Sequence, residues 1–138
     1  MIKDKLYLLI FLSFLLSSCN DEKATRPSTA LDTGRDFIRA SLDGNFETAE
    51  SLLSKDSQNV QLFDSYKMYY TRLPEDKKSN YRKASYNINK YQEANDSVVI
   101  INYSNTYMNK PMEIKVIKLN KEWEVDFKYT YSGSLPVE

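Results

Sequence analysis

Near Lys83 the apolar residues of this chain stop recurring at helical spacing and begin to alternate, and that switch restricts the fold more than any other feature. Before it, apolar residues return every three to four positions, the spacing of one helix face. Leu31, Ile38 and Leu42 share a face with Phe37 beside them, which predicts a first helix over 31–42, ended by Gly44. Asn45 is placed to cap a short second helix with the stripe Phe46, Ala49, Leu52 and Leu53. Asp56 or Ser57 caps a third, over about 58–73, whose stripe is Leu62, Phe63, Tyr66, Tyr69 and Tyr70. Pro74 interrupts it, and a polar turn or helical piece runs on to Asn80.

After the switch the period is two, and four strands are expected over 83–93, 97–107, 112–119 and 122–131. Turns fall at Asn95-Asp96, Asn109-Lys110-Pro111 and Asn120-Lys121. Val98-Val99-Ile100-Ile101 is apolar on both faces, which suits a central strand. In the last strand Trp123, Val125, Phe127, Tyr129 and Tyr131 share one face, against Glu122, Glu124, Asp126 and Lys128 on the other. That alternation places Trp123 in the core. Helices followed by a meander describe an α+β domain, three N-terminal helices packed on a curved antiparallel four-stranded sheet.

Composition removes whole classes of chemistry. The chain has no histidine, which takes away the commonest general base and metal ligand. Ser-His-Asp and Cys-His machinery and the usual zinc sites go with it, so neither a metal nor a cofactor is expected. The three glycines, Gly34, Gly44 and Gly133, lie too far apart to build a phosphate-cradling loop. Lysine plus arginine and aspartate plus glutamate number 19 each, and such a balanced surface carries no footprint for nucleic acid.

The lone cysteine, Cys19, closes the run Leu16-Ser17-Ser18-Cys19 behind Lys3, Lys5 and an apolar stretch over 6–16. This three-part layout is that of a secretory signal, and the apolar run is shorter than the ~20 residues of a membrane span. It resembles a bacterial lipoprotein signal. The resemblance implies cleavage between Ser18 and Cys19, a lipidated Cys19 and residence in the cell envelope, as an outer-membrane lipoprotein facing the periplasm or the cell surface. Removing 18 residues from 138 leaves a mature chain of 120, enough for one domain. The expected organisation is a signal over 1–18, the lipidated residue and a tether over 19–30, and a domain over 31–138. Asp21 and Glu22 resemble the surface-export signal of Bacteroidetes lipoproteins, or they belong to a solvated tether.

The opening Arg35-Asp36-Phe37-Ile38-Arg39-Ala40-Ser41-Leu42-Asp43-Gly44-Asn45-Phe46-Glu47-Thr48-Ala49 and the closing Leu119-Asn120-Lys121-Glu122-Trp123-Glu124-Val125-Asp126 resemble the nuclear transport factor 2-like cone fold, also termed cystatin-like. Together with the leader, the chain resembles small bacterial lipoproteins of unknown function that carry this fold. Enzymes of this fold work inside the cone, where ketosteroid isomerase, for example, uses an aspartate base with a tyrosine and a protonated aspartate. Here Glu113, Glu124 and Asp126 are expected to point away from the apolar face, so no catalytic residue is assigned. The eleven tyrosines offer an apolar body with a hydrogen-bonding tip. Tyr86, Tyr103, Trp123 and Tyr129 are the candidates to line a ligand pocket. Asp96-Ser97-Val98 resembles a Bacteroidetes O-glycosylation acceptor, with Ser97 as the acceptor. The basic cluster Lys77, Lys78, Arg82 and Lys83 either touches anionic lipid headgroups near the anchor or, as Glu75 and Asp76 beside it favour, is an ordinary solvated loop.

The expected function is a lipid-anchored, non-catalytic envelope module. It would be held to the membrane by Cys19 and would bind a small ligand, a glycan or a partner protein. The alternative is a cone-fold isomerase or dehydratase using a tyrosine with an aspartate or glutamate. The second apolar face of the central strand requires cover, for which a two-fold homodimer is the simplest source.

Overall fold

A computed structural model describes residues 25–133, with side chains through Thr130; the leader, Ser18 and Cys19 lie outside the described residues. The architecture is α+β. Helix α1 spans Ala30–Asp43, α2 Phe46–Ser51, α3 Ser57–Arg72 and α4 Glu75–Lys83, and they precede strands β1 (Tyr86–Asn95), β2 (Val98–Asn105), β3 (Pro111–Leu119) and β4 (Glu122–Val125). A further helix, α5, follows at Phe127–Gly133. The strands form one antiparallel sheet in the order β1-β2-β3-β4.

Local chemistry explains the helix boundaries. The Thr29 hydroxyl accepts the Asp32 N–H at 3.1 Å and starts α1. Gly44 ends that helix in the left-handed region at φ 70°, with its N–H bonded to carbonyls of the last turn. A Cβ at this position would also stand 2.8 Å from Tyr70 Cε1. Asn45 caps α2, and of the two residues able to cap α3 it is Asp56 that does so, through the Asn59 N–H at 3.1 Å.

Two expectations are corrected. Four helices, not three, precede the sheet among the described residues, because the polar piece after Pro74 forms a full helix to Lys83. The strand expected over 83–93 therefore begins at Tyr86. The last strand does not reach Tyr131. It stops at Val125, and the chain turns into α5. Residues 127 and 131 are four positions apart, a spacing that fits a helix face as well as alternation, and tertiary contacts decide between the two. Phe127 turns into an aromatic cluster, and the Asn59 Oδ1 accepts the Lys128 N–H at 2.7 Å.

The core forms two clusters that share α1. Phe37 and Ala40 join Ala49, Leu52, Leu53, Phe63, Val125 and Phe127. Ile38, Leu42 and Ala30 join Val99 and Ile101 of β2 and Ile114 and Val116 of β3. The register sets Ile101 opposite Ile114 and Val99 opposite Val116, so these four share the inner sheet face. Helix α1 lies directly on that face. A Cβ on Gly34 would be 2.4 Å from Ile101 Cδ1, so any larger residue here would force the Ile101 side chain to move. Trp123 shares this inner face but is half-buried, with Lys118 5.4 Å from its ring centroid; Val125 and Phe127 are the buried members of the expected stripe. Leu53 bridges to Val125 on the far side of β4, where Ser54 N–H donates to Val125 O at 2.9 Å, and this covers that sheet edge.

Candidate functional site

Helix α3 packs on α5, whereas α1 packs on β2, β3 and β4. The space between α3 and the sheet is filled by aromatic side chains rather than by backbone approach. Tyr66 projects from α3, with ring centroids 6.0 Å from Phe46, 5.9 Å from Phe63 and 5.8 Å from Phe127. Tyr70 stands 6.0 Å from Tyr81 of α4, which meets Tyr107 edge-on at 4.8 Å. Tyr103 faces in from β2 opposite Met112, its hydroxyl 4.0 Å from the Met112 sulfur. The Tyr81 hydroxyl lies 3.3 Å from the Met108 sulfur.

This set forms an aromatic and thioether cluster at the β2–β3 turn end of the sheet. Tyr66 and Tyr103 remain half-buried by surface, yet burial pushes both phenols well above the ordinary value of 10.0. For Tyr66 the neighbouring phenols of Tyr103, Tyr81, Tyr70 and Tyr69 push further in the same direction. Asn105, on the same face of β2 as Tyr103, is 3% exposed. Its Oδ1 accepts the Tyr107 and Met108 N–H groups at 3.1 and 2.8 Å, while its Nδ2 makes no hydrogen bond. A buried amide donor without a partner is costly unless something accepts from it.

These phenols stay neutral across the ordinary pH range. With folded values raised, their contribution to stability is full below the ordinary phenol range and is lost as pH climbs from there through the folded values. An alkaline absorbance titration should therefore leave Tyr66 and Tyr103 un-ionised until the domain unfolds. Tyr66→Phe and Tyr103→Phe should each remove one phenolate from that late, unfolding-linked step. Their loss from the early step would contradict the buried placement.

Of the four residues expected to line a pocket, Tyr86, Tyr103 and Trp123 pack against the same inner-face cluster. The Tyr86 hydroxyl reaches Arg35 O at 3.5 Å. Tyr129 lies apart on α5, 36% exposed, where its hydroxyl donates to Glu113 Oε2 at 3.0 Å and Lys115 stands 6.0 Å from its ring. Tyr66, Tyr81 and Asn105 were not among the expected pocket residues. Tyr66 reads in the sequence as one member of a helix stripe, and nothing local marks its hydroxyl as special. Ser97 is exposed in the β1–β2 turn, its N–H donating to Asn95 Oδ1 at 2.9 Å.

A second polar constellation joins α3 to α5. Asp126, expected to point outward, is 6% exposed. Its carboxylate accepts from Asn59 Nδ2 at 3.1 Å and pairs with Lys128 at 2.9 Å and Lys115 at 3.6 Å. Asn59 is fully buried, and its amide also donates to Asp56 at 2.5 Å. Lys128 is held above its ordinary range, chiefly by its bond to Asp126. Every polar group of Asn59 is satisfied within this network, which fixes the start of both helices.

Among the described residues, no cluster of three or more histidine, cysteine, aspartate or glutamate side chains is set to hold a metal. No helix among them is long and apolar enough to cross a membrane. No protein-family model, no curated protein and no solved structure matches the chain.

Proposed function

We propose that the chain is a lipid-anchored, non-catalytic binding module of a bacterial cell envelope, carried on an outer-membrane lipoprotein that faces the periplasm or the cell surface. In this reading Cys19 is the anchor, and the tyrosine cleft receives a small ligand with an apolar body and a hydrogen-bonding group. One observation supports it: Tyr66 and Tyr103 belong to one cluster of phenols, and the groups that perturb Tyr66 are other phenols, with no carboxylate among them. Neutral phenols suit recognition by hydrogen bonding. Proton abstraction calls for a base beside the substrate. The isomerase or dehydratase alternative needs a carboxylate next to a cleft tyrosine. The Tyr129–Glu113 pair lies instead at an exposed position on the outer side of β3.

The cone fold of the nuclear transport factor 2-like type belongs to the same reading. It is supported by helices laid on one face of an antiparallel meander and by the two register shifts in β1, which bend the strand. Glycosylation at Ser97 is supported by its exposure in a turn. Pairing of two copies through the outer sheet face is supported by Val98 opposite Ile117 and by Leu119, which is 43% exposed. Light scattering that finds only monomers at high concentration removes the pairing.

Fluorescence of 1-anilinonaphthalene-8-sulfonate tests the cleft. The folded domain should bind the probe, and Tyr66→Phe and Tyr103→Phe should each weaken binding by roughly two- to tenfold, the worth of one hydrogen bond. Absence of binding, or binding untouched by both substitutions, overturns the ligand reading. For the anchor, Cys19→Ala should move the protein out of the membrane fraction. A free thiol at Cys19 in the mass of the intact protein overturns it.

A further inference from the structure

Arg26, at the described end of the tether, and the tyrosine cluster proposed as the cleft lie at opposite ends of the sheet. Arg26, the last cation before α1, pairs with Glu122 at 2.7 Å, the first residue of β4 and part of the β3–β4 turn end. The β1–β2 turn is at that same end, since Lys118 N–H donates to Ser97 O at 2.8 Å. The cleft residues Tyr103, Tyr107, Met108 and Met112 gather at the β2–β3 turn, the other end of the same strands. Strands β2 and β3 are 8 and 9 residues long, so the two ends are separated by about 27–30 Å. Cys19 precedes Arg26 by seven positions, a reach of at most about 25 Å when fully extended.

We propose that the anchor holds the β3–β4 turn end of the domain against the bilayer, so that the cleft opens away from the membrane and takes its ligand from water rather than from lipid. This rests on the reading of Cys19 as the lipid anchor. A counterforce is also present. Helix α4 joins β1 at the cleft end and carries Lys77, Lys78, Arg82 and Lys83 against Glu75 and Asp76. Anionic headgroups attract such a segment.

The single cysteine makes the test direct, because a thioether at Cys19 leaves an introduced cysteine as the one thiol. The lipidated full chain, as Asp96→Cys or Lys110→Cys, is labelled with a thiol-reactive fluorophore. Each is reconstituted in phosphatidylethanolamine–phosphatidylglycerol vesicles that contain a headgroup-spin-labelled lipid. Position 96 marks the anchor end and position 110 the cleft end, and both are exposed. The label at 96 should lose its fluorescence and the label at 110 should keep it. Equal loss at the two positions, or greater loss at 110, overturns the orientation while the anchor stands. Protein that fails to float with the vesicles, or that takes up a second label at Cys19, overturns the anchor and the orientation with it.

Discussion

Replacing Phe63 by alanine should cost the domain about 3–5 kcal/mol, the range for deleting a fully buried aromatic ring. Phe63 is 0% exposed and stands at the centre of the first core cluster. Its ring lies 6.0 Å from Phe37 of α1, 6.1 Å from Phe46 of α2, 5.9 Å from Tyr66 and 5.2 Å from Phe127 of α5. Four helices therefore meet on one side chain, and the void left by alanine cannot be closed by moving any one of them. Domains of this size are stable by about 5–15 kcal/mol in all, so the substitution removes a large part of the margin. Urea unfolding with an unchanged slope and a much lower midpoint is the expected result. Tyr69→Ala on the same helix, at a side chain 57% exposed, should shift the midpoint little. Equal midpoints for Phe63→Ala and the wild type would mean that this cluster does not hold the fold together.

The second large effect belongs to Asn59. Its substitution by alanine should cost about 2–4 kcal/mol, because it orphans buried groups on two sides. The Lys128 N–H loses its acceptor, and the Asp126 carboxylate loses the amide that shields it from the apolar interior. Asn59→Leu keeps the volume but restores neither bond, so it should destabilise as well. If leucine proves as stable as asparagine, the network is a packing feature and not a hydrogen-bonded one. The acid limb of stability offers a separate check. The Asn59 backbone N–H, more than any other contact, holds the Asp56 carboxyl below its ordinary 3.8. A carboxyl depressed in the folded state contributes stability that is full above its unfolded value and is lost as pH falls through the folded one. That backbone group survives Asn59→Ala while the side-chain amide bond to Asp56 is lost, so the variant should lose stability at every pH and keep most, but not all, of the wild-type acid slope.

Helix starts and stops were legible because their causes are local. Asn45 and Asp56 cap with side chains that lie within three residues of the groups they bind, and Gly44 supplies a backbone conformation that other residues resist. The alternation of Met112, Ile114 and Val116 placed the inner face of β3 correctly, since a strand exchanges faces at each residue. The end of β4 was not legible. Alternation from Trp123 to Tyr131 fits a strand, and tyrosine and phenylalanine favour one. The carbonyl that receives the Lys128 N–H belongs to Asn59, 69 positions away in the chain. The same distance conceals the burial of Asp126, which by its neighbours alone belongs on a wet strand face.

The site divides along the same line. The abundance of tyrosine and the absence of histidine were plain from the composition, and they favour hydrogen-bonding recognition over acid–base chemistry. Which tyrosines matter was not. Tyr66 and Tyr103 sit 37 positions apart, and only the packing of α3 beside the sheet brings their phenols into one cluster while Tyr129 departs with α5. The sequence by itself determined the class of fold, the caps and the inner face of the strands, all set by spacing and by backbone chemistry within a few residues. The fate of the last strand, the buried Asn59–Asp126 network and the membership of the tyrosine cluster were decided by tertiary structure alone, because each depends on groups that meet only when remote elements pack.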